Sequence, residues 1–275
     1  MISWSHYPRL LAGAVFAAAL LWLGAVQARA DDLATIKQRG TLIVGVKADY
    51  PPFGFRAPSG QIEGIEPALA ADVAKSLGVK LELVPVVAAN RMQFLEQGKI
   101  DLMIATMTDT PERAKVVGIV HPDYYASGYN IMVPKSMNLK SWEDLKGKPV
   151  CGIQGAYYNK EAAEKLGLQV VAFTGTAEAL TALKQGRCVG LLYDDTSIEA
   201  ILLEPEWNAF DMPLQSQDSL PWGLAVRLGQ PEWSAYMSKM VEKWAKDGTI
   251  QQLEKQYHIK PSDFAADMHK KYSGQ

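Results

Sequence analysis

The sequence predicts an α/β fold in two lobes, each a mostly parallel sheet with flanking helices. Three observations predict it. β-rich runs alternate with helical patterns from Thr41 to Leu203, the pattern of parallel sheets with crossover helices. The last third holds one strand pattern followed only by helices, so the chain returns to pack on an earlier lobe. No low-complexity linker or short-period repeat separates the parts, so crossing strands join the lobes better than a tether would.

The elements follow in order. Thr41–Val46 is a β-rich run after Gly40, and Pro67–Leu77 has helical apolar spacing stopped by Gly78. Residues 80–86 alternate as a strand does. Asn90–Gln97 reads as a helix and Ile100–Ala105 as a buried strand. Thr110-Pro111-Glu112 is a helix start, because the hydroxyl caps and proline at the first position loses no bonded N–H. Ser141–Asp144 opens a short helix, and 150–153 is a strand. The pattern then runs helix 158–166, strand 168–173, a helix capped by Thr176 and ending at Gly186, strand 188–193 and helix 196–203. Trp222–Arg227 is the last strand. Helices 232–246 and 249–257 follow, broken at Asp247-Gly248.

Composition narrows the function classes. Of 275 residues, 48% are hydrophobic and 21% charged, which excludes a wholly disordered chain. The formal charge of −2 gives no electrostatic footprint for nucleic acid. Residues 1–30 read as a secretory signal peptide: Arg9 precedes an apolar run from Leu10 to Val26, and Ala28-Arg29-Ala30 closes it. The alternative is a membrane anchor, for which the run is short. Without this segment, 26 basic residues face 30 acidic ones. An exported chain allows Cys151 and Cys188, each in an apolar run, to pair as a disulfide if the runs are neighbouring parallel strands; two buried thiols are the alternative.

Signals for catalysis are sparse. There is no phosphate loop, no dinucleotide-binding glycine fingerprint and no Gly-x-Ser-x-Gly elbow. The four histidines lack metal-ligand spacing, so neither metal nor cofactor is expected. Asp194 and Asp195 are adjacent on a strand and point to opposite faces, which disqualifies them as an acid–base pair. Recognition fits better than turnover, and the chain is not expected to be an enzyme.

Six segments, in order, then carry a resemblance. They are residues 40–46 (GTLIVGV), 50–55 (YPPFGF), 98–102 (GKIDL), 107–115 (MTDTPERAK), 186–194 (GRCVGLLYD) and 222–226 (WGLAV), with Asp247-Gly248-Thr249 near the end. The ordered set resembles the periplasmic polar amino acid-binding proteins of ABC importers, the bacterial extracellular solute-binding proteins of family 3, over essentially the whole exported chain. The resemblance implies the two-lobed periplasmic-binding-protein type II, or Venus flytrap, architecture. Lobe one would be residues 31–127 and 222–275, lobe two 128–221. A monomer in the periplasm would close on one free amino acid and deliver it to a membrane permease.

A zwitterion needs a cation for its carboxylate and a carboxylate for its ammonium. The resemblance puts Arg113, in the first turn after Thr110-Pro111, on the ligand carboxylate, where the alternative is a surface ion pair with Glu112 or Asp109. Thr106 and Thr108 lie in the strand-to-helix loop, where N–H groups can meet an anion. Asp194 ends a buried strand, where α/β ligands bind, and would hold the ammonium; its alternative is a helix cap, for which Asp195 is better placed. Tyr50 takes the family's stacking position, with loop packing as the alternative. Asp49 is a secondary polar contact. Ala156 and Tyr157 open a helix whose N-terminus can face the ligand side chain.

Departures from the family bear on specificity. Ala88 leaves room where relatives carry bulk, Ala156 lacks the usual hydroxyl, and Glu66 stands in an altered segment. Arg91 matches an arginine of acidic-amino-acid binders, implying glutamate or aspartate, against the alternative of an exposed helix arginine. Two other classes share or fit this outline: a cyclohexadienyl dehydratase-like enzyme, needing Glu66 or Asp49 for proton transfer, and an accessory protein of a periplasmic redox enzyme, which needs no zwitterion clamp.

Overall fold

The computed structural model describes residues 31–274, together with Met1. The signal peptide expected over residues 1–30 lies outside the described residues beyond that methionine. Helix α1 (Asp32–Arg39) leads to β1 (Thr41–Val46), and a small antiparallel sheet of β2 (Asp49–Tyr50), β3 (Gly54–Arg56) and β4 (Ile62–Glu63) precedes α2 (Ile65–Leu77). Strand β5 (Lys80–Pro85), α3 (Arg91–Glu96), β6 (Leu102–Met103) and the four-residue α4 (Pro111–Ala114) complete the first passage. The long β7 (Gly118–Pro134) then enters the second lobe, formed by β8 (Pro149–Ile153), α5 (Tyr158–Lys165), β9 (Gln169–Phe173), α6 (Thr176–Lys184), β10 (Leu191–Asp194), α7 (Asp195–Leu202) and β11 (Phe210–Asp211). Strand β12 (Gln217–Val226) returns, followed by α8 (Pro231–Asp247), α9 (Thr249–Gln256) and α10 (Asp263–Ser273).

The main sheet runs β5-β1-β6-β12-β7-β10-β8-β9. At one end β1 is parallel to β5 and β6; at the other β8 is parallel to β9 and β10. The crossing pair β7 and β12 runs antiparallel to its neighbours in both halves, which is how one chain links two parallel lobes twice. Their register pairs Ser127 with Leu220 and Tyr125 with Trp222, with irregularities on either side of Leu220–Trp222. Bulges of this kind twist and bend a strand pair locally. Gly128 sits in this crossing because a Cβ would meet the Gln217 carbonyl oxygen at 2.6 Å.

Capping follows the sequence. Thr110 Oγ1 accepts from Arg113 N at 3.3 Å, and Ser141 and Asp144 form a capping box for the 3₁₀ turn Trp142–Leu145. Thr176 is a correction: it is the first helical residue of α6, and the cap position belongs to Gly175. The run 100–105 contributes only two residues to β6, although Asp101 and Ile104 still donate to β1 carbonyls. Strand β10 begins at Leu191 rather than Cys188, and β12 begins five residues before Trp222. The third terminal helix, α10, went unread because Pro261 and Ser262 interrupt the apolar spacing, and Ser262 Oγ then caps a new start.

Cys151 and Cys188 form a disulfide with Cα atoms 5.4 Å apart. Leu191 of β10 pairs with Cys151 of β8, and that register brings the approach to β10 beside the β8 strand. Three tryptophans, Trp222, Trp233 and Trp244, are fully buried, and the Trp233 indole donates to the Asp101 carbonyl at 2.9 Å. Among the described residues no helix is long and apolar enough to cross a membrane.

Candidate functional site

Between the lobes lies a narrow space of about 310 Å³, a figure that includes the open solvent at its mouth. The first lobe lines it with Lys47, Ala88, Arg91, Thr106, Thr108 and Arg113. The second contributes Ile153, Ala156, Tyr157, Tyr158, Tyr193 and Asp194.

Arg113 is placed by the capped start of α4. Its guanidinium donates to the Thr108 carbonyl at 2.8 Å and across the cleft to the Gly155 carbonyl at 3.0 Å. Arg91 opens α3 and is 3% exposed, donating to the Ala105 carbonyl, so the exposed-helix alternative is excluded. Burial and then the charge of Arg91 lower the Arg113 pKa to about 9. Among the described residues the arginines in ion pairs are Arg39 and Arg227; Arg91 and Arg113 are in none. Two buried guanidiniums without an ion-pair partner leave this wall positively charged.

Asp194 ends β10 at the N-cap position of α7, yet its side chain makes no cap bond. Asp195 does not cap either: its Oδ1 accepts from Ser127 Oγ at 2.6 Å and Thr196 N at 2.8 Å, tying α7 to β7. Asp194 Oδ2 instead accepts from Tyr50 Oη at 3.0 Å. Burial raises the Asp194 carboxyl to about 6, against the lowering effect of Tyr50 and Arg91.

Tyr50 is 1% exposed and packs against Phe53, Tyr193 and Trp222. It stands behind Asp194 and is not part of the wall of the space; the aromatic wall is Tyr157, Tyr158 and Tyr193. Thr106 adopts a φ of 47° and spends its N–H on Glu66 Oε1 at 2.6 Å. Thr108 bridges to Trp222. Ala156 N donates within its own turn to the Ile153 carbonyl at 3.2 Å, and Tyr157 Oη reaches the Asp218 carbonyl at 3.1 Å.

Residues 42–260 match the family of bacterial extracellular solute-binding proteins, family 3. The chain belongs to that family. It is 31% identical over 238 residues to the glutamine-binding protein of an ABC transporter from Bacillus subtilis, covering 84% of this chain and 86% of that one. It is 30% identical over 281 residues to the L-cystine-binding protein of Escherichia coli, covering 97% and 99%. The crystal structure of a cysteine-binding protein from Campylobacter jejuni superposes with a TM-score of 0.80 at 28% identity, covering 86% of this chain and 98% of that one. These relatives are named as binding proteins, and the chain is a solute-binding protein rather than an enzyme.

Within this family member, seven of the eight predicted ligand residues meet around one space: Arg91, Thr106, Thr108, Arg113, Ala156, Tyr157 and Asp194. Tyr50 stands outside it. Lys47, Ile153, Tyr158 and Tyr193 went unnamed. A lysine directly after the apolar run Thr41–Val46 was the available signal for Lys47, since charged residues at strand carboxyl ends face ligand crevices. Neither of the two candidate carboxylates for a dehydratase, Glu66 or Asp49, lines the space. Glu66 is fully buried, accepts from Thr106 N and Tyr124 Oη, and burial raises its pKa to about 7. Asp49 lies outside the space, paired with Lys47.

Proposed function

We propose that this chain is the periplasmic substrate-binding subunit of an ABC importer, capturing one polar amino acid between lobe one (31–127 and 222–275) and lobe two (128–221) and presenting it to a permease. One observation carries the reading. An unpaired guanidinium and a carboxylate outside any ion pair, from opposite lobes, face the same small space. Arg113 clamps the ligand carboxylate and Asp194 holds its ammonium, oriented by Tyr50. Thr106, Thr108, Ala156 and Tyr157 enclose the rest. Arg91 and Lys47 make the side-chain end cationic, which favours glutamate or aspartate. The mechanism is capture without bond breaking: the ligand binds the closed form better and shifts the population to it.

A thermal-shift screen of the exported chain against the standard amino acids tests this. Glutamate or aspartate at a hundred times its Kd adds roughly 2.7 kcal/mol of stability. A larger shift with glutamine or cystine overturns the acidic preference. No shift with any amino acid overturns the whole reading.

A further inference from the structure

One charged contact between the lobes is not explained by ligand capture alone. Lys47 is 1% exposed and lines the cleft, with Nζ 2.8 Å from Asp49 Oδ1. The second carboxylate oxygen reaches the other lobe. Asp49 Oδ2 accepts from Thr176 N at 3.0 Å and Thr176 Oγ1 at 3.3 Å, at the first residue of α6.

Helix α6 needs that contact. Its cap position is Gly175, which has no side chain to satisfy the first N–H groups. A Cβ at Gly175 would stand 3.3 Å from Asp49 Oδ2, a tight contact, so the bare glycine gives the carboxylate room. A negative charge here also complements the helix dipole. Burial raises the Asp49 pKa, but Lys47 and Thr176 outweigh it and hold the carboxyl below its ordinary value. The helix of one lobe is thus capped by an aspartate of the other, and this bond exists only when the lobes are together.

We infer that Asp49 is a positioning residue for ligand capture: it latches the closed lobes through the α6 N-terminus and holds Lys47 in the cleft wall, without touching the ligand. The inference rests on the cleft being the amino-acid site. A latch present only in the closed form slows release and leaves capture unchanged, because the encounter is with the open form.

Stopped-flow binding of L-glutamate, L-glutamine and L-cystine to the exported chain tests it, using Asp49→Asn, Thr176→Pro and the double variant. Proline is accepted at a first helical position, and Gly175 at φ −135° and ψ 164° already suits a residue before proline. Thr176→Pro therefore deletes both donors while keeping the helix. For the tightest of the three probes, each single variant is expected to raise the off-rate about 5- to 30-fold, the scale of a lost cap. The on-rate stays within about twofold. The double variant is no worse than the worse single, since both remove the same Asp49–Thr176 contact. Off-rates unchanged by Asp49→Asn, or losses that add in the double variant, overturn the latch. Failure of the unaltered chain to bind any probe instead overturns the reading of the cleft, and the latch with it.

Discussion

The two lobes bring opposite chemistry to the cleft. The first presents Lys47, Arg91 and Arg113; the second presents Asp194 among Tyr157, Tyr158 and Tyr193. Within the first lobe the arginines oppose one another, and the charge of Arg91 helps lower the Arg113 pKa. Among the described residues neither guanidinium has an ion-pair partner; in the proposed binding cycle an open cleft would hydrate both and closure would strip that water. On the proposed reading a ligand with an anionic end would supply the missing partner, so ligand and closure would favour each other. The second lobe carries the milder half of this arrangement, since its single carboxylate keeps a hydroxyl partner in Tyr50.

Breaking the cationic side has the largest expected effect. Arg113→Ala should weaken amino-acid binding about 100- to 1,000-fold by calorimetry, on the order of a lost charge-assisted clamp. The second lobe alone carries the disulfide, so the Cys151→Ser, Cys188→Ser double variant should lose roughly 2–4 kcal/mol in chemical denaturation. Its affinity, measured below the transition, should stay within about threefold, because neither sulfur lines the cleft. Asp194→Asn should cost about 30-fold, the scale of a charged hydrogen bond. The same carboxyl ionises near pH 6, so affinity in the unaltered chain should fall as pH drops from about 7 to 5. Asp194→Asn should flatten that profile. Arg91→Gln should be the most selective change: about tenfold weaker for glutamate and aspartate, and little altered for glutamine. Equal losses for all three would show that Arg91 serves the α-carboxylate or the lobe itself.

Much of this was legible in sequence because the deciding signals are local. Thr110-Pro111 fixes where α4 begins and therefore where Arg113 points. The buried strand ending at Asp194 fixes which end of the sheet that carboxylate occupies. Apolar runs with glycine stops marked most helices and strands. What escaped depends on contacts distant in sequence. Tyr50 could not be placed behind Asp194 without knowing that β2 abuts the start of α7. Asp49 read as a ligand contact because one of its two partners, Thr176, lies 127 residues away. The small β2-β3-β4 sheet was missed because its strands are two or three residues long, too short for periodicity to register.

Gly155 has φ +83°, and a Cβ there would fall 2.7 Å from the Ala88 carbonyl carbon in the opposite lobe. Main chain thus meets main chain where the lobes come together, and no rotamer can yield at that point. Under the proposed reading this contact is a backbone stop on closure, and bulk added at either position would hold the lobes apart for every ligand at once.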